Sequence, residues 1–457
     1  MQYHPIHEIP VELLREIFLQ CIPEADEDQP PLTEVCRRWR LVSLATPKLW
    51  SRIQVNIPQE CRCPPRPIDG VECTTVDLVR RTKAEMIHAR LQRVRHHPVD
   101  INFNLPPQCF KAWSCPNRVS DPTSNVINAL RSYSAQWRNV SFKKIQSENF
   151  KIILNIPSSD LPLLESLEAS VMDSLYPIDA MTWSKSTVFQ APRLRCIKLA
   201  GSILCDISIL RVDWKWITSF TIWENTVVSV TSLFGVLLEC EALEELNLHV
   251  LFTPPFPQSS TLPTIRLKNL KRLSVTENAS DSSLESFYAA LGNLPSLHTL
   301  TFNQNPYQKL IAPDAPLAIY DLISATEKTL RRLQVDPRLM SKAGLKGCLQ
   351  RCSRITYLSF MQGPPNLYIS SRHAAIVDDE LLRALLSMRD LECFSCAVPP
   401  RFTDKELLSI IRGRSKSKLK KIFVAFNGSP KVQVDEIQEE FAREGLSLDL
   451  RYSTVGI

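Results

Sequence analysis

The sequence predicts an α/β protein in which a helical N-terminal unit is followed by a solenoid of parallel strands with outer helices. Three observations lead to this class: residues 9 to 50 hold two amphipathic blocks, one apolar frame recurs along most of the remaining chain, and helical patterns separate its copies. A chain of 457 residues with 44% hydrophobic residues is long enough and apolar enough to bury the core that such an array needs.

The first amphipathic block is IPVELLREIFLQC, residues 9 to 21. Its apolar residues recur at helical spacing with charged residues between them, and Pro10 suits the opening turn of a helix. A second helical stripe follows over residues 32 to 42, and Pro47 then introduces a short third turn with Leu49 and Trp50. A unit of about 45 residues is too small to bury both stripes by itself. We therefore expect part of this apolar surface to face a partner.

The frame L-x-x-L-x-L-x-x-N recurs in the segments LKNLKRLSVTEN, LPSLHTLTFNQN and KSKLKKIFVAFN, which begin at residues 267, 294 and 416, with Val or Phe accepted at the third apolar place. Less regular copies begin at Trp137, Leu164, Leu194, Ile217, Leu243, Leu330, Ile355 and Leu391. Successive copies start about 28 residues apart on average, within the range of leucine-rich repeats. The repeat therefore predicts a leucine-rich-repeat solenoid, or horseshoe.

Helical patterns lie between the copies of this frame. Residues 281 to 300 and 403 to 424 each hold an apolar helical stripe before the next strand, and Ser282 with Glu285 and Thr403 with Glu406 have the spacing of a capping box. One helix and one strand cannot close a core, so neighbouring units must stack. The last pattern predicts a helix that stops at Gly445 and a strand that closes the array.

Composition and charge narrow the functional class. The N-terminus lacks the pattern of a secretory signal and no run of about 18 apolar residues occurs, so we expect an intracellular protein, cytoplasmic and/or nuclear, without a membrane partner. The net charge of +6 is small for this length, which argues against a dedicated nucleic-acid-binding protein. The 14 cysteines follow no regular spacing, so we interpret them as reduced thiols.

Catalytic and metal-binding patterns are weak in this sequence. It has no G-x-G-x-x-G, P-loop, H-E-x-x-H or G-x-S-x-G motif. Cys393 and Cys396 have C-x-x-C spacing, but Cys396 occupies an apolar place of a strand, and the three cysteines of residues 61 to 73 match no standard zinc module. We expect no catalytic residue, no metal site and no cofactor.

The run RGRSKSKLKK, residues 412 to 421, holds six basic residues. A solvated turn is the interpretation that such a run favours, and a nuclear signal or an anion site is the alternative. No aromatic residues alternate with these charges, which argues against RNA as a ligand.

Residues 6 to 55 resemble the F-box, in particular that of the F-box-like proteins of mushroom-forming fungi. The resemblance rests on IPVELLREIFLQC and on VCRRWRLVSLATPKLWSRI with its Pro-x-Leu-Trp ending. The segment ARLQRVRHHPVDINFNL, residues 89 to 105, is similar to the basic helix and strand that precede the repeats in those proteins. The resemblance implies an F-box over residues 1–55, a connecting region with the basic helix and first strand over 56–130, and a leucine-rich-repeat substrate-recognition domain over 131–457.

The resemblance also implies a function without catalysis. F-boxes bind the small adaptor of SCF-type cullin-RING E3 ubiquitin ligases, and the downstream domain holds a protein substrate near the conjugating enzyme, so the rate rises through proximity. The expected partners are the adaptor, through it a cullin, and an unknown protein substrate. The adaptor contacts implied by the motif are Pro10, Leu13, Leu14, Ile17, Phe18, Leu32, Val35, Cys36 and Trp39.

Two alternatives stay open from the sequence. Leu14, Phe18 and Trp39 either contact the adaptor or form the internal core of the helical unit, since a small bundle needs some of them for itself. The chain as a whole is either a ligase subunit or a leucine-rich-repeat scaffold or RNA-associated interaction protein with no ligase link.

The substrate surface follows from the strand register. In a strand that reads L-x-x-L-x-L, the apolar residues point into the core, so the residues between and just after them face the concave surface. This register places Trp223, Glu245, His249, Arg272, Tyr357, Met361 and Phe423 on the outside, among positions that are mostly small or polar. Exposed aromatic residues are plausible anchors because they dominate interface hot spots. For Trp223 the alternative is that the nearby loop TPPFPQSS folds over it and makes it part of the core.

Overall fold

The computed structural model describes residues 8–21, 32–56, 74–104, 123–171, 179–201, 206–253, 263–277, 283–304, 317–337, 340–361, 377–386, 388–398, 400–413 and 418–453. The chain forms two compact units. The first comprises Met1–Ile203 with Ile209–Asp213, and the second comprises Leu204–Ser208 with Trp214–Ile457. Both units mix helices with parallel strands. The domain boundaries at residues 55 and 130 stay predictions.

A group of short helices opens the first unit. Helix α1 spans Val11–Gln20, α2 spans Leu32–Val35 and α3 spans Arg37–Leu44, and a 3₁₀ turn follows over Pro47–Trp50. The sequence predicted one helix where α2 and α3 lie, and this prediction is wrong. Cys36 has an extended backbone, and its Sγ accepts a hydrogen bond from the Trp39 N–H at 3.5 Å, so a new helix begins after it.

The rest of the first unit alternates strands and helices, and each strand pairs in parallel with the next along the chain. In chain order the elements are β1 Arg52–Asn56, α4 Thr74–Val94, β2 Val99–Asn104, α5 Thr123–Arg131, β3 Trp137–Ile145, α6 Ser147–Leu154, β4 Ser166–Val171, α7 Ala180–Lys185 and β5 Cys196–Gly201. Strand β1 follows the 3₁₀ turn directly, so the helices and the sheet of this unit are continuous in the chain. The sequence did not predict β1.

Trp50 joins the helices to the rest of the first unit. The guanidinium carbons of Arg90 and Arg93 on α4 lie 5.9 and 4.8 Å from the centre of the Trp50 ring, within range for cation–π contacts. The Arg90 Nη2 also donates a hydrogen bond to the Arg52 carbonyl oxygen at 2.6 Å. Burial lowers the pKa of Arg90, and the positive charge of Arg93 lowers it further. These contacts fix the turn after α3 against α4.

The second unit continues the alternation, again with each strand parallel to the next. In chain order the elements are β6 Ser219–Ser229, α8 Val230–Glu239, β7 Glu245–Thr253, β8 Arg272–Glu277, α9 Ser283–Ala290, β9 Thr299–Gln304, α10 Leu317–Ala325, β10 Arg332–Val335, α11 Lys342–Arg351, β11 Tyr357–Phe360, α12 Asp379–Leu386, β12 Cys393–Cys396, α13 Asp404–Arg412, β13 Lys421–Asn427, α14 Val434–Arg443 and β14 Ser447–Ser453.

The predicted apolar frame forms the core of the second unit. Matching register positions of the five adjacent strands β7 to β11 hold Leu246, Leu273, Leu300, Leu333 and Leu358, all 0% exposed. Because strand side chains alternate, this row buries one face of the sheet and leaves the residues between on the other face. The mixed α/β class and the repeat of parallel strands are therefore confirmed. The F-box identity of the helical group stays a prediction.

The predicted helix signals near the C-terminus are also confirmed. Glu406 Oε2 accepts a hydrogen bond from the Thr403 N–H at 2.6 Å, and Thr403 Oγ1 accepts one from the Glu406 N–H at 3.3 Å, which completes the capping box of α13. Gly445 follows α14 with φ of +82°, the left-handed conformation that ends helices.

Four sequence predictions fall partly or wholly outside the described residues. These are the capping box at Ser282, the cysteines of residues 61 to 73, the loop TPPFPQSS after residue 253, and residues 414–417 of the basic run. Within the ranges that the structure describes, no helix combines the length and the apolarity needed to cross a bilayer.

Candidate functional site

A closed apolar core fills the helical group of the first unit. Its buried members are Leu14, Phe18, Leu32, Val42 and Leu49, each at most 8% exposed. The rings of Phe18 and Trp39 lie 4.8 Å apart between centroids, and Trp39 is partly buried against this core. Leu14, Phe18 and Leu32 were predicted as adaptor contacts, but they face the common centre of the helices. Their burial assigns them to the internal core rather than to an accessible surface.

A second set of apolar side chains stays exposed on the same helices. Leu13 is 56% exposed, Ile17 is 44% exposed and Val35 is 58% exposed. Leu13 and Ile17 lie one turn apart on α1 and are therefore neighbours on its surface. Pro10 is exposed before α1, and Cys36 is half-buried. Leu13, Ile17 and Val35 are thus the predicted apolar contacts that a partner can reach directly.

Two further exposed leucines were missed by the sequence interpretation. Leu41 is 60% exposed and Leu44 is 38% exposed, and they lie three residues apart on α3. Their exposure was predictable from the sequence, because Leu41 and Leu44 fall outside the apolar helical stripe that contains Trp39 and Val42. They add to the apolar surface that the small helical group does not bury.

The polar face of the second unit's sheet holds the predicted substrate residues. We call the position at the beginning of each strand the start row, and the position two residues later the middle row. The start row consists of Ser219, Glu245, Arg272, Thr299, Arg332, Tyr357, Cys393, Lys421 and Ser447. The middle row consists of Thr221, Asn247, Ser274, Thr301, Gln334, Ser359, Ser395, Phe423 and Asp449. Most charges lie in the start row, whereas the middle row is mostly small and uncharged.

Four of the predicted substrate residues lie on β6, β7 and β8 as two separate pairs, four residues apart along β7. The rings of Trp223 and His249 are stacked, with centroids 6.2 Å apart and an interplanar angle of 22°. Arg272 Nη2 lies 2.6 Å from Glu245 Oε2, and this hydrogen-bonded carboxylate raises the pKa of Arg272. His249 Nε2 lies 3.1 Å from Thr276 Oγ1. The group therefore consists of an aromatic stack and, nearer the strand starts, an ion pair.

Trp223 is 42% exposed within this group. The ring is therefore accessible and does not belong to the core of the sheet. The loop that the sequence offered as a cover begins at residue 253, and residues 254–260 lie outside the described part of the chain. An exposed indole that is held by a stacked imidazole can receive an apolar or aromatic side chain of a partner.

The remaining predicted substrate residues lie on other strands. Tyr357 is in β11, and the guanidinium carbon of Arg332 lies 5.2 Å from its ring centre. Phe423 is in β13, and the guanidinium carbon of Arg451 lies 5.0 Å from its ring centre. Met361 follows the end of β11 and is half-buried. The predicted residues thus form separate groups on one face, and each of these two aromatic rings is contacted by an arginine.

The C-x-x-C pair on β12 lacks the features of a redox or metal site. Cys396 is buried, its Sγ donates a hydrogen bond to the Val398 carbonyl oxygen at 3.1 Å, and burial raises the pKa of this thiol to about 12. Such a thiol stays protonated and unreactive at neutral pH. Among the residues that the structure describes, no cluster of three or more His, Cys, Asp or Glu side chains could hold a metal ion.

Sequence interpretation noted the basic run that ends at Lys421 but missed that basic pairs recur at several strand starts. The two positions between the first two apolar places of the frame read Lys-Arg before β8, Arg-Arg before β10 and Lys-Lys before β13, so the second basic residue of each pair begins the strand. The Lys-Arg pair is neutralised, because Lys271 and Arg272 bind Glu244 and Glu245 of the preceding repeat at 2.9 and 2.6 Å. In the Lys-Lys pair only Lys420 has an ion pair, with Glu392 at 2.8 Å, and the Arg-Arg pair forms none with the described residues.

No model of a protein family matches the chain, and no curated protein matches it. A solved structure, the "Crystal structure of Rad7 and Elc1 complex in yeast", is similar over 71% of this chain and 83% of that chain. The identity is 15% and the TM-score is 0.35. A likeness of this size establishes neither a shared family nor a shared function, so the functional argument below depends on the residues of this chain.

Proposed function

We propose that this chain is a non-enzymatic substrate-recognition subunit of an SCF-type cullin-RING E3 ubiquitin ligase. In this proposal the helical group binds the ligase adaptor, and through it a cullin, while the polar face of the second unit binds a protein substrate. The chain would raise the rate of ubiquitin transfer by holding the substrate close to the conjugating enzyme.

The observation that carries this proposal is the exposed apolar set on the helical group. Leu13, Ile17 and Val35 remain exposed although the same helices close a core around Leu14 and Phe18. Covering a large apolar side chain on binding contributes about 1.5 to 3 kcal/mol when it becomes fully buried. Several such residues on one small helical group favour a docking surface over chance exposure.

The proposal is tested by the double variant Leu13→Asp with Ile17→Asp in the full-length chain. Both side chains are exposed, so the fold should persist, as checked by circular dichroism and the melting transition. At a docked interface each carboxylate would be buried without a partner, which costs several kcal/mol. We expect the variant to lose co-purification with the ligase adaptor, which the unmodified chain should retain at near one-to-one.

Arg15→Asp is the matched control. Arg15 is exposed on the same helix but lies about 200° around the helix axis from Leu13. We expect the control to bind the adaptor like the unmodified chain. Normal binding by the folded double variant would contradict the proposed docking surface, and failure of the unmodified chain to bind any ligase adaptor would favour a scaffold without a ligase link.

A further inference from the structure

The start of the sheet between β10 and β13 carries an unusual excess of positive charge. The relevant positions are the residue before the first apolar place of each frame and the two residues after it. In these four repeats they comprise Thr329, Arg331, Arg332, Arg354, Thr356, Tyr357, Asp390, Glu392, Cys393, Lys418, Lys420 and Lys421. Six of these side chains are basic and two are acidic, so positive charge exceeds negative charge by four. We call this set the basic edge.

Both carboxylates of the basic edge are already bound. Lys418 Nζ lies 2.7 Å from Asp390 Oδ1, and Lys420 Nζ lies 2.8 Å from Glu392 Oε2. The ion pair lowers the pKa of Asp390 and raises that of Lys418. The two acidic side chains therefore form ion pairs with two lysines. The charges of Arg331 and Arg354 also lower the pKa of Asp390, so this one carboxylate is shared by three cations and the excess of positive charge remains.

The remaining four cations form no ion pair with any described residue. They are Arg331, Arg332, Arg354 and Lys421. Arg331 donates hydrogen bonds to the carbonyl oxygens of Lys328 and Leu330, and Arg332 lies over the Tyr357 ring, so both guanidinium groups are held in place. Arg332, Arg354 and Lys421 are exposed.

The cause of this imbalance lies in the repeat that precedes β10. The Arg-Arg pair occupies the same place in its frame as Lys271 and Arg272, which are neutralised by Glu244 and Glu245 at the start of β7. Before β10 the corresponding residues on the adjacent strand are His298 and Thr299. The basic pair of β10 therefore lacks the acidic partner that the repeat supplies elsewhere.

We infer that the basic edge binds an acidic segment of a protein partner, one in which carboxylates are spread along an extended chain. The inference deepens the proposed function, since it names the substrate class that this face would recognise, and it depends on that proposal for the identity of the bound segment as a substrate. Tyr357 and the uncharged residues Gln334 and Ser395 beside the edge are half-buried and offer hydrogen bonds without adding negative charge.

The spacing of the cations favours a spread acidic segment over a single phosphate. Arg332 and Lys421 are separated by three strand spacings, or about 14 Å between backbones, which an extended peptide covers in about four residues. The composition of the edge also favours protein over RNA. Tyr357 is its one aromatic residue, whereas single-stranded nucleic acid binds on successive aromatic platforms.

The test is fluorescence anisotropy with the full-length chain and a labelled peptide of about 12 residues that carries glutamate at every second position, long enough to cross the edge. The comparison probes are the same peptide with glutamine, a neutral peptide with one phosphoserine, and a single-stranded oligouridylate. We expect the acidic peptide to bind about tenfold more tightly than each comparison probe, and its binding to weaken from about 50 to about 300 mM salt.

The decisive variant is Arg332→Glu with Lys421→Glu, which should weaken acidic-peptide binding by about tenfold or more. Arg383→Glu with Lys405→Glu makes the same change in net charge at exposed positions on α12 and α13, and it should leave binding within about twofold of the unmodified chain. Equal losses in both variants would show a net-charge effect and overturn the inference. Tighter binding of the phosphopeptide or the oligouridylate would overturn it too.

Adaptor co-purification, measured for the unmodified chain and for the two variants, separates this inference from the proposed function. Retained adaptor with no acidic-peptide binding by the unmodified chain would refute the basic edge alone. Peptide binding that depends on Arg332 and Lys421 in a chain that recruits no ligase adaptor would support the edge as a binding site and refute the ligase proposal.

Discussion

A buried carboxylate ties the last repeat to the one before it, and its removal should loosen the C-terminal end of the second unit. Asp404, the first residue of α13, is 3% exposed. Its Oδ2 accepts hydrogen bonds from the Lys431 N–H at 2.8 Å and from the Tyr452 O–H at 3.1 Å, and its Oδ1 accepts one from the Lys405 N–H at 2.8 Å. One side chain thus connects α13 with the segment before α14 and with the last strand.

The structure sets the magnitude of the effect. Hydrogen bonds to a charged group contribute about 1.5 to 3 kcal/mol each, and two of these bonds hold separate segments together. Asp404→Ala would also leave the Lys431 N–H and the Tyr452 O–H without their acceptor. We therefore expect a local loss of about 3 to 5 kcal/mol in the free energy of opening of the last repeat. Tyr452→Phe removes one of the bonds and should cost about 1 to 2 kcal/mol.

Hydrogen exchange measured by mass spectrometry reports this loss region by region. A loss of about 3 kcal/mol corresponds to exchange on the order of a hundredfold faster in α14 and β14, whereas β7 to β9 should exchange at their normal rates. Asp404→Asn keeps the shape and one acceptor oxygen, so its effect should be intermediate. Unchanged exchange in α14 and β14 of a folded Asp404→Ala variant would refute the assigned role.

The same contact predicts a dependence on pH. Burial and the hydrogen bond with Asp404 raise the pKa of Tyr452 above its usual value near 10. Below this value both the folded and the unfolded chain keep the phenol protonated. Above it the unfolded chain loses the proton first, so this residue lowers the free energy of unfolding as pH rises. Tyr452→Phe should therefore show a shallower loss of stability above about pH 10 than the unmodified chain.

Two further predictions concern the substrate face and the end of the sheet. Trp223→Ala should keep adaptor binding and change the free energy of unfolding by no more than about 1 kcal/mol, because the ring is 42% exposed. Proximity labelling in cells should capture fewer proteins with this variant than with the unmodified chain. An unchanged set of captured proteins would make Trp223 a structural residue. Deletion after Ser429 removes α14 and β14 and uncovers the edge of β13, so the shortened chain should aggregate and melt at a lower temperature. A shortened chain that stays monomeric with an unchanged melting transition would contradict the closing role of this repeat.

The strands were predictable because their signal is repeated. Leu273, Leu300 and Leu333 occupy the same place in their frames, and each lies at matching register in a buried row. The break at Cys36 was not predictable from periodicity, because the apolar stripe continues through it and the local acceptor is a sulfur atom rather than the usual oxygen. Strand β1 was missed because its residues do not follow the frame that marks the other strands.

The candidate surfaces were predictable only in part, because exposure depends on packing between elements. The apolar residues of α1 cover two arcs, one with Leu13 and Ile17 and one with Leu14 and Phe18. The sequence places both arcs on the helix, but the arc that becomes buried is decided by where α3 and the following turn pack. The charge on the sheet was more predictable, since the frame gives Arg272 and Arg332 equivalent places, and the same place in the preceding frame holds Glu245 for the first and Thr299 for the second.

Ion pairs between neighbouring repeats accompany the register of the sheet but do not determine it. Arg272 with Glu245 and Lys420 with Glu392 join side chains at adjacent strand starts, yet these groups are partly exposed, and exposed pairs contribute little because water screens them. The leucine row is fully buried and repeats in every strand from β7 to β11, so it supplies the larger stabilisation. A strand start can therefore lack its acidic partner at small cost, and β10 carries Arg332 in this way while the leucine row beneath it keeps the strand in place.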